Sequence, residues 1–314
     1  MTRYLLIRLG QLIVIVFIIS ILTFLLVHLL PGNPADTILG ASQTPQTRAA
    51  LLKQLGLNKP LLQQYFTWFH NVIRGNLGES FLNHTQVTTT IGQAFPVDIE
   101  LIIFSQIISF AIAIPLALVA SRRPNRLFDR LAGVTTFGLL AMPAFVIGPI
   151  LALVFAVKIH WFPATGAPNL TQAPLTNIHD FVLPSIALAL GSIAVYFRLL
   201  RGDLISTLQE DFITMARSKG LSTRYIMTRH ALRPSSFSML ASAGLNIGSL
   251  ITGAFVVEYL FGLNGLGAQL VISINSRDYL VVQGIALVVA LAYVLVNFFV
   301  NFLYTVLDPR IARA

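Results

Sequence analysis

Six apolar runs, at about residues 9–30, 101–120, 131–157, 181–200, 238–260 and 281–307, dominate this chain of 314 residues. At about 1.5 Å of rise per residue, each is long enough to cross a hydrocarbon layer about 30 Å thick. Backbone N–H and C=O groups find no water in lipid, so each run is expected as a helix that satisfies them internally. An all-α polytopic membrane protein with six transmembrane helices follows, organised as one transmembrane domain over 1–314. Composition agrees, with 55% apolar and only 11% charged residues. The first run exceeds the roughly 7–15 residues of a signal-peptide core. It ends in Leu30-Pro31-Gly32-Asn33-Pro34 without a small-x-small cleavage site, so a retained span is expected.

The formal charge of +9 would suit nucleic acid only on a soluble basic domain, for which the chain has no room, so no nucleic-acid partner is expected. Its distribution is topological. Arg3, Arg8, Arg122, Arg123, Arg126, Arg130, seven residues from Arg198 to Arg233, Arg310 and Arg313 fall on one side of a six-span chain, fifteen of the 21 Lys and Arg. Positive-inside bias therefore assigns both termini to the cytoplasm. Cysteine is absent, which excludes disulfides and thiolate chemistry.

Two segments between the runs carry their own pattern. Residues 31–98 form an extracytoplasmic helical insert after the first span. Thr44 is placed to cap a helix with Pro45 first and Gly56 just past its end. A second helix from about Pro60 carries Leu61, Leu62, Tyr65, Phe66, Phe69, Val72 and Ile73 before Gly75. This aromatic face either packs on the outer ends of the spans or receives an extracytoplasmic protein.

The other segment is the cytoplasmic loop at 201–237, centred on Asp211–Pro234. Phe212, Met215 and Ala216 stand at helical spacing, and Gly220 supplies a left-handed helix stop. Ser222 or Thr223 can cap a second short helix through Tyr225 and Ile226 towards Leu232, before Pro234. Arg217, Lys219, Arg224, Arg229 and Arg233 keep the pair out of lipid.

Within the spans, Pro115, Pro143, Pro149 and Pro184 predict kinks, and Gly244 with Gly248 permits close helix approach. Ser242, Asn246, Ser249 and Gly253 fall near one face of the fifth span, either lining a pathway or pinning two helices. No GxxxxGK[ST] loop, HExxH spacing or nucleophile constellation occurs, so catalytic and metal-binding residues are expected to be none. Asp98, Glu100, Arg198 and Glu258 sit at the expected span ends, which argues against a proton- or ion-coupled secondary transporter or a channel. Asp98 and Glu100, two apart, share no helical face, which argues against a membrane enzyme.

Gly220 six residues after Thr214, and Leu232 twelve further on, resemble the EAA loop of ABC importer permeases. The resemblance extends along the chain through LLPGNPAD (29–36), LGLNKPLLQQY (55–65), RGNLGESF (74–81), MPAF (142–145), FPATG (162–166), LPSIALALG (183–191), ARSKGLS (216–222), RHAL (229–232), NGLG (264–267), RDYLVVQG (277–284) and LDPR (307–310). Together these are similar to the dipeptide, oligopeptide and nickel permease family. That resemblance implies a type I ABC importer permease fold forming half of a translocation pathway for small peptides or a related solute. It implies a second homologous permease, two ATP-binding subunits carrying ATP and Mg, and an extracytoplasmic solute-binding protein as partners, with no cofactor in this chain. It also implies Asp211, Phe212, Ala216, Gly220 and Leu221 as the contacts that couple to the ATPase.

Overall fold

A computed structural model describes residues 2–29, 39, 44–54 and 58–307. The Leu30–Pro34 segment that ends the first run, the stop at Gly56 and the basic residues Arg310 and Arg313 lie outside them. The described chain is helical: α1 (Thr2–Leu29), α2 (Pro45–Gln54), α3 (Leu61–Ile73), α4 (Val87–Ser121), α5 (Leu127–Ala141), α6 (Ala144–Lys158), α7 (Pro174–Asp180), α8 (Val182–Thr207), α9 (Asp211–Ser218), α10 (Thr223–Phe261), α11 (Leu266–Asn275) and α12 (Tyr279–Leu307).

Four helices, α4, α8, α10 and α12, are long and apolar enough to cross a membrane. A fifth crossing is broken: α5 and α6 meet at a bend of 104°. The cause is local. Pro143 forces Met142 out of the helical region, to φ −97° and ψ 117°, and the chain restarts as a new helix. Not every proline kinks its span. Pro115 lies inside the unbroken α4, and Pro184 falls in the first turn of α8, where a missing N–H forfeits no intrahelical bond.

Pro234 likewise does not end the helix that precedes it, contrary to the expected stop. A wide π turn over Ile226–Ala231 leads into the α-helical segment that starts at Leu232, which puts Pro234 in that segment's first turn. The second half of the 201–237 segment is therefore continuous with the following span.

The chain divides into two compact units, residues 1–97 with 264–298, and residues 98–263 with 299–314. In the first, α2 is capped reciprocally, Thr44 and Thr47 each accepting the other's backbone N–H at 3.1 and 2.9 Å. Helix α3 sets Tyr65 against Phe17 and Phe24 of α1, and the Tyr65 hydroxyl shares a 2.8 Å hydrogen bond with Ser20. Leu61, Leu62, Phe66 and Ile73 of the same helix remain exposed. The aromatic run thus divides its residues between a seat on α1 and an open face.

Sequence-distant motifs interlock in this unit. Asp278, ahead of α12, is 3% exposed and accepts from the Ser80 hydroxyl and, at 3.5 Å, from the Phe81 N–H. A Cβ at Gly284 would lie 2.5 Å from the buried Val87, so only glycine lets α12 approach the start of α4 this closely. In the second unit the core begins with Ala113, Ala117 and Ala120 of α4. It continues through Ile193, Tyr196, Phe197, Leu200 and Leu204 of α8 and Ile226, Met239 and Ala243 of α10. Alanines at one-turn spacing on α4 let the larger side chains of its neighbours pack closely.

Candidate functional site

Helix α9 is short, and its position depends on one buried stripe. Ile213 is fully buried and Ala216 is 6% exposed, both within the α4–α8–α10 core. Phe212, at 44% exposure, and Met215, at 60%, point outward instead. This corrects the expectation that Phe212, Met215 and Ala216 share a face. Ile213, the large apolar side chain three residues before Ala216, decides which side is buried, and only its register with Ala216 in the sequence signals that choice.

The turn after α9 is a Schellman motif. Gly220 has φ +76°, its N–H donates to Arg217 O at 2.9 Å, and the Leu221 N–H donates to Ala216 O at 3.3 Å. Nothing lies within 4 Å of where a Gly220 Cβ would stand, so glycine is there for its backbone conformation rather than for space. Ser222 then caps α10, accepting from the Tyr225 N–H at 3.4 Å. Leu221 and Tyr225 are exposed alongside Phe212 and Met215. The result is an open apolar patch, with exposed Asp211 at its start and exposed Arg217, Lys219, Arg224 and Arg229 around it. Its underside is fixed to the spans.

The polar stripe of α10 resolves into separate roles. The Asn246 amide donates to Ser192 Oγ at 2.6 Å and to the Tyr196 hydroxyl at 3.0 Å, and its oxygen accepts from Ser249 at 2.7 Å. The Tyr196 hydroxyl in turn donates to Gln106 Oε1 at 3.0 Å. Asn246 thus pins α10 to α8, and through Tyr196 to α4, with every amide position satisfied. Ser249 stays exposed and Ser242 is half-buried. Gly253 marks a close approach, a Cβ there meeting Leu188 of α8 at 3.3 Å. Tyr196 was not singled out in the sequence, whereas Gln106, like Asn246, is legible there as an amide inside an apolar run.

Nearby, the buried Asp129 of α5 takes Arg201 of α8 through both carboxylate oxygens, the Nη2 contact at 2.6 Å, and accepts the Asn125 N–H at 2.7 Å. At the other end of the unit, the Gly166 N–H bonds Phe261 O at 2.7 Å, joining the FPATG segment to the end of α10. His179 lies between two acceptors, the Asp180 carboxylate and the Trp161 carbonyl, each at 2.9 Å. The Asp180 hydrogen bond holds its pKa above the ordinary 6.5.

Asp98 and Glu258, expected at span ends, are 3% and 0% exposed within α4 and α10. Helix α4 starts at Val87 rather than near 101, which carries Asp98 into its interior. Glu258 keeps its expected place at a span end, three residues before α10 stops at Phe261. Among the described residues, no three His, Asp or Glu are grouped to hold a metal ion.

Comparison with known proteins covers nearly the whole chain. Residues 113–313 match the family described as binding-protein-dependent transport system inner membrane component, and residues 1–102 match its N-terminal membrane component. A peptide transport system permease protein of Brucella abortus (strain 2308) is 36% identical over 313 residues, 99% of each chain. The glutathione transport system permease protein of Escherichia coli (strain K12) is 34% identical over 311 residues, again 99% of each. The nickel import system permease protein of Staphylococcus aureus (strain bovine RF122 / ET3-1) is 35% identical over 306 residues, covering 96% of this chain and 90% of that one.

Proposed function

The chain belongs to the family of binding-protein-dependent transport system inner membrane components, and we propose that it forms half of an ATP-driven pathway for small peptides or a related small solute. Counting α1 with the four long spans and the bent α5–α6 pair gives six crossings, with both termini in the cytoplasm. A second homologous permease supplies the other half of the pathway. Two ATP-binding subunits hold ATP and Mg, and an extracytoplasmic binding protein delivers the solute. This chain hydrolyses nothing itself.

The observation that carries this reading is the open apolar patch of Phe212, Met215, Leu221 and Tyr225 on a segment whose underside, Ile213 and Ala216, is buried in the spans. A partner that grips the patch moves the spans with it. Phe212 and Leu221 are the apolar knobs, Asp211 opens the helix that carries them, Ala216 anchors it and Gly220 sets the turn. ATP binding closes the ATPase pair and shifts α9, and α8 and α10 follow because Asn246, Tyr196 and Ser192 tie them together. Ser242 and Ser249 are the pathway-facing candidates, Asn246 and Gly253 being turned to α8. The partner must grip the patch differently in its two states, since equal contacts would shift no equilibrium.

The test is Gly220→Asp. Aspartate tolerates a left-handed backbone better than most residues, and space is free at this position, so the fold is kept while a negative charge enters the docking patch. Normal abundance in the membrane with uptake abolished is expected; normal uptake at normal abundance overturns the coupling role. Affinity purification of the tagged wild-type chain in mild detergent should recover a second permease and ATP-binding subunits. Recovery alone, with ATP-independent flux in liposomes, would instead establish a secondary transporter or channel.

A further inference from the structure

The turn between α4 and α5, Arg122 to Arg126, borders a cavity of about 820 Å³ that the coupling role does not use. Its walls combine two chemistries. Arg122, Arg123 and Arg126 bring three guanidinium groups, and Val119, Leu127 and Phe128 bring exposed apolar side chains from the ends of α4 and α5. Among the described residues, none of the three arginines is in an ion pair. The only carboxylate on the wall is Asp129, and its charge is already engaged by Arg201 and the Asn125 N–H.

That engagement also shapes the turn. Asn125 stands at φ +64°, held by its N–H bond to the buried Asp129, so the arginines project from a backbone fixed on its inner side. The cavity is thus preorganised, positive and uncompensated, and it is walled by side chains that belong to membrane-spanning helices. Guanidinium groups match a phosphate in shape and charge, and apolar walls at a span end match acyl chains. A soluble acidic surface would satisfy the first requirement and leave the second unmet.

We propose that this cavity binds the phosphate headgroup of an anionic phospholipid, with the acyl chains lying along Val119, Leu127 and Phe128. Thr223, the first residue of α10, lines the same cavity. A lipid seated there touches the helix that carries motion out of the coupling turn, so its occupancy stabilises one position of that helix. The inference takes only the membrane setting from the family, and it holds whichever solute is carried.

Native mass spectrometry of the detergent-solubilised complex, counting retained phosphatidylglycerol, tests the site. Wild type should keep at least one such lipid. R122Q/R123Q/R126Q should lose it by on the order of 100-fold in affinity, the product of about fivefold per arginine. The corresponding triple lysine variant, which keeps the charge, should retain most of the binding and so separate charge loss from misfolding. R74Q/K158Q, altered at exposed positions outside both the cavity and the docking patch, should bind as wild type does. In proteoliposomes, uptake by wild type should rise with phosphatidylglycerol content while the triple glutamine variant stays flat. Equal retention in that variant overturns the proposal. Displacement of the lipid by millimolar inorganic phosphate overturns it in favour of a free-anion site. Loss of ATP-binding subunits with lipid still retained overturns it in favour of a protein interface.

Discussion

Asn246 decides more of the spans' geometry than any other single residue in the polar stripe. Its amide joins Ser192 and Tyr196 across the α8–α10 boundary, and removal takes the donor from buried Ser192 and leaves Tyr196 with only its bond to Gln106, a loss of about 1–3 kcal/mol for a buried group so stranded. Asn246→Ala should therefore lower the thermal stability of the purified protein markedly and Tyr196→Phe less so. The double variant should cost less than the two singles combined, since both break one network. Additive losses would mean that the bonds are energetically independent. His179 gives a pH-dependent expectation. Its folded pKa is raised by the Asp180 hydrogen bond, so the stability it contributes is complete below about pH 6.5 and fades as pH rises through the folded value. A melting curve series should show this loss, and His179→Gln should flatten that component. Of these two sites the sequence marked only Asn246, because a polar group in an apolar run is visible without knowing its partner.

Helices in this protein meet where side chains are small, and the clearest case is α12 against the start of α4. Gly284→Ala would set a methyl 2.5 Å from Val87, a fully buried and stiff side chain that cannot turn away. Overpacking of this kind costs about 1–3 kcal/mol. The variant should show reduced abundance and a lower melting temperature, partly restored by Val87→Ala. No restoration would place the damage elsewhere. Length and capping made most helices legible: Thr44 caps α2, and Gly220 ends the turn after α9. What the pattern could not reveal was continuity. The expected break at Pro234 is absent because a π turn shifts the proline into a first turn, and the 104° break comes at Pro143.

At the scale of the molecule, the continuity of α10 matters most. It runs 39 residues from Thr223 to Phe261, about 58 Å at helical rise, so the turn after α9 and the far end of a span belong to one rod. Inserting two glycines between Ser236 and Phe237 should leave co-purification with the ATP-binding subunits intact, because the patch at α9 is unchanged. Solute uptake should be lost, because the rod no longer carries motion. Retained uptake would show that α8 alone transmits it. By itself the sequence determined the helical class, the membrane setting and the family. Each rests on local quantities, namely the length of an apolar run, a cap, a glycine stop and ordered short motifs. Only the tertiary structure decided which face of α9 is buried, that Ser80 meets Asp278, and that Asn246 reaches Gln106 through Tyr196. Those are choices among partners far apart in the chain, and they are made by the packing of one helix against another, which no local pattern records.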